Sequence, residues 1–212
     1  NMLRAGTIQI GGNFEAYGWS PSRLEGCTHK EEFVNPNGTK IRFGSDSYGF
    51  NQVEFPEKAE GKDYYPITWT GGMRGFSLEQ DMYLILPEVK YPEGYHELDI
   101  SGALDLNGHT LTLEGDVLHT GGQIRFDGGK LKIKGNYHVR KFNKLDVNGN
   151  PTYTNAEGTL RMVDEKDLME VSGDFYWNSS KSWTDSITNE STGYNMLRAG
   201  TIQIGGNFEA YG

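Results

Sequence analysis

Three observations predict an all-β fold, a right-handed parallel β-solenoid with protruding loops and little or no helix. The first is composition: the 212 residues include 29 Gly, 12 Tyr, 10 Phe and 4 Trp against 7 Pro. That is more Gly than helices tolerate and more aromatic residues than a disordered chain carries. The second is strict alternation of apolar and polar residues over short runs, the period of a strand with one face inside. The third is self-similarity at a spacing of 20 residues, the length of one turn of such a coil.

The clearest elements are TLTLEGDV at Thr110–Val117 and KLKIKGNY at Lys130–Tyr137, which set Leu111 over Leu131, Leu113 over Ile133 and Asp116 over Asn136. Alternation within each run puts the aliphatic residues on one face and Thr, Lys and Glu on the other. Related units are TIQIGGNF at Thr7–Phe14 and Thr201–Phe208 and LMEVSGDF at Leu168–Phe175. Their glycines Gly135, Gly173 and Gly206 stand 38 and 33 residues apart, too far for one plain turn, so side loops or extra turns lie between them. The expected inward set is Leu111, Leu113, Ile124, Phe126, Leu131, Ile133, Leu160, Met162, Val171, Ile202 and Ile204. Helical periodicity is confined to Met162–Glu170, a turn or two at most, with the strand-like Val171 directly after it.

Residues Asn1–Gly18 read NMLRAGTIQIGGNFEAYG, and Asn195–Gly212 repeat them without a mismatch, an offset of 194. Residues 1–194 read as one repeat module and 195–212 as the start of the next, with a copy of the first strands placed at the end as a cap as the competing reading. The opening Asn-Met-Leu-Arg has no apolar leader run and reads as the interior of something longer. With strands about 4.8 Å apart and turns of about 20 residues, a module has at most nine or ten turns and advances by about 40 to 48 Å. The Tyr-rich stretch 61–95 reads as a loop insert with wider turns.

The Gly-Asn and Gly-Asp pairs close each element where the chain turns a corner, and these residue types accept left-handed backbone conformations. Stacked copies of Asn13, Asp116, Asn136, Asp174 and Asn207 are expected to hydrogen-bond up the stack as a corner ladder, with calcium as the competing occupant. Alternation of Asp with Asn limits carboxylate repulsion. Tyr64, Tyr65 and Trp69 are the candidate glycan-contact aromatics, set against the plainer expectation that such rings cover the core. The acids Asp164, Glu165 and Asp167 are the best approach to a catalytic or metal-holding cluster, but they sit in a connection beside Lys166 and read as a solvated loop. None of His29, His96, His109, His119 and His138 lies in a catalytic motif. The single Cys27 excludes an intrachain disulfide and reads as a small buried hydrophobe. Twenty Lys and Arg against 29 Asp and Glu give a net charge of −9, which argues against nucleic acid. Mean hydropathy is −0.63, and no apolar run approaches the roughly 18 residues a membrane span needs.

The units Gly6–Phe14, Gly129–Tyr137 and Gly158–Met162, with Thr28-His-Lys, Asn37–Phe43 and Phe50–Glu54, resemble the long secreted β-solenoid repeat proteins of Gram-positive bacteria. These are broadly similar in architecture to filamentous-haemagglutinin-type adhesins. The resemblance implies an extracellular, non-enzymatic structural module of a fibre, stalk or surface adhesin, with no cofactor. Its implied partners are neighbouring copies of the same repeat, head to tail, and surface glycans. A carbohydrate-binding module is the second reading and a polysaccharide-degrading β-helix enzyme the third.

Overall fold

A computed structural model of the chain describes residues 5–17, 28–44, 50, 52–71, 73–179, 183–184, 191–192 and 196–211. Cys27 lies outside the described residues, which form strands and turns and no helix. The strands follow one another in levels. The first level is β1 (Ala5–Ile10) and β2 (Phe14–Ala16), and the second is β3 (Thr28–Phe33) and β4 (Thr39–Phe43). The third is β5 (Val53–Glu54), β6 (Pro66–Gly71) and β7 (Met73–Arg74), and the fourth β8 (Met82–Ile85) and β9 (Tyr95–Asp105). The fifth is β10 (Thr110–Glu114) and β11 (Asp116–Arg125). The sixth holds β12 (Lys130–Lys134), β13 (Tyr137–Val139), the hairpin β14 (Lys141–Leu145) and β15 (Pro151–Thr154), and β16 (Thr159–Met162). The seventh holds β17 (Leu168–Val171), β18 (Phe175–Trp177), the pair β19 (Trp183–Thr184) and β20 (Ser191–Thr192), and β21 (Met196–Leu197). The eighth is β22 (Thr201–Ile204) and β23 (Phe208–Ala210).

One strand from each level enters an eight-stranded parallel sheet of order β2-β4-β6-β8-β10-β12-β17-β22. A second sheet runs through β11. Its near half, Val117–Leu118, pairs with β13, and its far half, Gln123–Arg125, pairs with β16. Register shifts at His119/Gly121 and Gly121/Gln123 against β9 mark the bend between the halves. A third sheet, β1-β3-β5, precedes the first-sheet strands at the start of the chain. The antiparallel strand pairs among the described residues are the hairpin β14–β15 and the pair β19–β20.

Because parallel stacking is in register, like residues lie on like. Up the first sheet run Ile67, Leu84, Leu113, Ile133, Val171 and Ile204, and beside them Met82, Leu111, Leu131, Met169 and Ile202. All are buried except Ile202 and Ile204 in the last level, which pack against the core while partly exposed. Each buried Leu or Ile contributes about 2 kcal/mol of hydrophobic stabilisation, so these columns carry much of the fold. Ile124, Phe126, Leu160 and Met162 are buried as well. The intervening positions face outward, where Lys130 meets Glu170 at 2.6 Å and Lys134 lies 3.7 Å from Glu114. Such exposed pairs contribute about 0 to 1 kcal/mol each.

Three expectations change. The stretch 61–95 is not an insert: it supplies β6, β7 and β8, and Ile67, Trp69 and Leu84 belong to the core. The segment Met162–Glu170 contains the end of β16, a turn and the start of β17, with no helical turn. Seven steps separate β2 from β22, about 34 Å at 4.8 Å each, less than 40 Å. The β14–β15 hairpin takes residues off the stack, and the first levels hold more residues per turn.

Candidate functional site: the corner ladder and the two strand edges

Four of the five Gly-[Asn/Asp] pairs stand in one column at the corner between the two long sheets. Asn136 donates its backbone N–H to Asp116 Oδ1 at 2.8 Å and its Nδ2 to Asp116 Oδ2 at 3.0 Å. Asp174 N–H donates to Asn136 Oδ1 at 2.7 Å. Asn207 N–H and Nδ2 both donate to Asp174 Oδ1, at 2.7 and 3.1 Å. Main chain continues the pattern, since Val117, Tyr137 and Phe175 N–H donate to the Asn136, Asp174 and Asn207 carbonyls, each at 2.8 Å. Each carboxylate is separated from the next by an asparagine whose amide supplies the donors, so no two carboxylates meet. Among the described residues no cluster of three or more His, Cys, Asp or Glu side chains is placed to hold a metal ion.

Asn13 stands elsewhere. It lies between β1 of the third sheet and β2 of the first, where its Oδ1 accepts from Lys40 N–H at 3.0 Å. The same side-chain-to-backbone step recurs at Asp81, whose Oδ1 accepts from Thr110 N–H at 2.8 Å.

The ladder also corrects the reason for its glycines. Gly115 has a positive φ of 78°, but Gly135, Gly173 and Gly206 do not, and neither do the ladder Asn and Asp residues. Their need is space. A Cβ on Gly135 would lie 2.5 Å from Asp116 Oδ1, and Cβ atoms on Gly173 and Gly206 would strike Asn136 Oδ1 and Asp174 Oδ1. Each glycine is a notch for the side chain one level away. Gly173→Ala is therefore expected to destabilise the fold by about 1 to 3 kcal/mol, the cost of forcing a methyl into a filled site. Thermal melting checks it, and an unchanged melting temperature would show that the notch is not needed.

Two of the three candidate glycan aromatics are interior. Trp69 is 1 % exposed and packs between Phe43 at 5.5 Å and Phe76 at 5.7 Å, while Tyr65 is 4 % exposed beside Phe55. The core of the first levels is rich in aromatic rings, with Phe14, Phe33, Phe43, Phe50 and Phe55 joined ring to ring beside Ile41, Val53 and Ile67. Tyr64 lies nearer the surface, stacked on Tyr83 at 3.8 Å with Lys134 Nζ 5.6 Å from its ring centre. Beside it opens a groove of about 610 Å³ lined by Glu57, Asp63, Glu79 and Asp81. Sequence reasoning missed a second aromatic file, Tyr95, His138, Tyr176 and Tyr211, with centroids 5.0 to 5.7 Å apart. Arg140 lies 3.6 Å from the Tyr153 ring and 4.9 Å from that of Tyr176.

The acid cluster divides. Asp167 is 1 % exposed and accepts three backbone N–H groups, from Gly128 and Val163 at 2.7 Å and from Asp164 at 3.0 Å. Asp164 and Glu165 are exposed. His119 is buried with Nε2 3.0 Å from the Gly121 carbonyl and Nδ1 2.5 Å from Tyr137 Oη. A carbonyl only accepts, so Nε2 carries the proton and Nδ1 accepts from the tyrosine. Burial lowers the His119 pKa to about 4 and raises that of Tyr137, which keeps both neutral. They form a structural polar pair.

The duplicated segment occupies both ends of the stack. Among the described residues β1 and β2 pair only with the level above, β3 and β4, and β22 and β23 only with the level below, β17 and β18. Compared with protein-family models, curated proteins and solved structures, the chain matches none of them.

Proposed function

We propose that the stacked sheets form a right-handed parallel β-solenoid and that the chain is a non-enzymatic structural repeat module of an extracellular fibre, stalk or surface adhesin. The observation that carries this reading is the duplication of 18 residues at an offset of 194, with the two copies at opposite ends of one stack. A covalent successor would continue the ladder and the aliphatic columns without a break, as a stack of repeats requires. Long parallel ladders suit mechanical reach, because every level adds main-chain hydrogen bonds along the axis. The polysaccharide-cleaving reading needs a pair of available acids; Asp167 does not supply one, since its buried carboxylate is already held by three N–H groups, and that reading would rest on the acids lining the groove beside Tyr64. The sugar-binding reading rests on side loops and on Tyr64.

Electron microscopy of covalent arrays of one, two and three periods tests the proposal. Thin rods that lengthen by about 35 Å per period are expected, seven strand steps of 4.8 Å plus part of another. Compact particles whose length does not grow with period number would overturn it.

A further inference from the structure

The groove beside Tyr64 has walls that are tied into the fold. Segment 56–64 closes on itself, with Ala59 N–H donating to the Tyr64 carbonyl at 3.0 Å, and Glu60 N–H anchors it to the Pro36 carbonyl at 2.8 Å. The turn that carries Glu79 and Asp81 is held by the Gln80 side chain, which accepts from Phe55 N–H at 2.9 Å and donates to the Phe55 carbonyl at 3.0 Å. Tyr83, Thr112 and Lys132, paired in register on consecutive levels of the first sheet, complete the lining. The volume of about 610 Å³ is that of a small-ligand site, about 300 to 1,000 Å³.

The charge in this groove is unspent. On the strands of the first sheet each outward carboxylate has a basic partner: Glu15 has Arg42, Glu114 has Lys134 and Glu170 has Lys130. Around the groove, Glu57, Asp63 and Glu79 have no ion-pair or hydrogen-bond partner among the described residues, and Asp81 accepts from Thr110 N–H with His109 Nδ1 3.8 Å away. Lys132 is the single lysine set against these four acids in the described lining. The aromatic side already seats ammonium groups, since Lys62 Nζ and Lys134 Nζ lie 5.2 and 5.6 Å from the Tyr64 ring centre, within the reach of a cation–π contact. An independent sign of a missing group is Tyr65. It lines the groove and is 4 % exposed, yet its hydroxyl has no hydrogen-bond partner, whereas buried polar groups are normally satisfied.

We propose that the groove binds a cationic glycan, a chain of amino sugars with free ammonium groups. The ammonium groups meet Glu57, Asp63 and Glu79 as charge-assisted hydrogen-bond donors. Ring hydroxyls meet Thr110, Thr112 and the unpartnered Tyr65, and the apolar face of a sugar ring covers Tyr64. The acids are spread along the groove, and no three of them are placed to hold one metal ion, so the ligand carries its charges at intervals. A basic peptide suits the site less. β6, β8, β10 and β12 each have a strand on both sides and leave no edge for a peptide main chain to join. Glycan binding goes beyond the fibre reading and does not rest on it, because it is a property of one stack whether or not stacks are joined into rods.

Calorimetric titration of the full chain with a short glucosamine oligomer, at a slightly acidic pH where its amines are charged, tests the proposal. The free-amine oligomer is expected to bind about tenfold tighter than its N-acetylated counterpart and to lose affinity as salt is raised. Asp63→Asn combined with Glu79→Gln, both at exposed positions, is expected to keep the melting temperature and to weaken that binding about tenfold. The same change of charge at the exposed Asp164 and Glu165, as Asp164→Asn with Glu165→Gln, is expected to leave it as it was. Absence of binding, equal binding of the two oligomers, or equal weakening by the two double variants would overturn the proposal. So would a short oligolysine that binds more tightly than the free-amine sugar, since the groove would then be a peptide site.

Discussion

Ile133→Asp is expected to abolish cooperative folding. Ile133 is 1 % exposed and stands between Leu113 below and Val171 above in the central aliphatic column. A carboxylate there has no donor to meet, and it either carries a buried charge or takes up a proton against its normal pKa. Both routes cost several kcal/mol, beyond about 4 kcal/mol in total, a large part of the 5 to 15 kcal/mol that holds a typical domain together. Loss of the melting transition by circular dichroism is the expected reading. Ile133→Val, which removes one methylene in the same column, is expected to cost only about 0.5 to 1.5 kcal/mol and to keep the transition. Equal melting of the Asp variant and the parent would mean that position 133 does not face inward.

Asp167→Ala is the second large effect, and it comes from a residue that looks like part of an acidic surface loop. Its carboxylate gathers the N–H groups of Gly128, Val163 and Asp164 at 2.7 to 3.0 Å, tying the turn after β11 to the turn after β16. Alanine leaves three donors without their acceptor in a site where the aspartate is 1 % exposed. At about 1 to 3 kcal/mol for each buried group left unsatisfied, and with some relief from water entering the gap, a loss of about 3 to 5 kcal/mol is expected. Denaturant unfolding measures it. A loss under about 1 kcal/mol, the scale of an exposed polar group, would return Asp167 to the solvated loop. Asp164→Ala, at an exposed neighbour, serves as the control with little effect.

The aliphatic half of the fold was legible because alternation and the 20-residue offset act through the same geometry. The alignment of Leu111 over Leu131 and Leu113 over Ile133 in sequence is the pairing found in space. The aromatic half was not. Phe50–Phe55 and Ile67–Thr70 alternate as strands do, but the chemistry of a ring suits a core and a sugar platform equally well, so only the closure of the first levels decides between them. The column of Asp116, Asn136, Asp174 and Asn207 follows from the repeated Gly-[Asn/Asp] pair. The placement of Asn13 does not, because it depends on how far around the axis the chain has travelled when the period ends. The role of the ladder glycines was hidden for a related reason. A notch for a neighbour one level away is a contact across 19 to 37 residues, invisible to rules about local backbone. Asp167 carries no signal in sequence, since its three donors come from two separate turns.

The β14–β15 hairpin leaves the stack after Val139 and returns at β16, while β13 and β16 on either side of it stay in register with β11. The levels above and below are thus indifferent to how much chain is spent in between, and lengthening such an excursion carries only a slowly growing loop-closure cost, about 0.6 kcal/mol for each doubling. That corner is a port at which natural variation or deliberate grafting can add new peptide without disturbing the sheets. An epitope or receptor-binding loop inserted between Leu145 and Pro151 would be displayed beside the stack, and in the proposed array once per period, with its position fixed by the scaffold and its chemistry free to change.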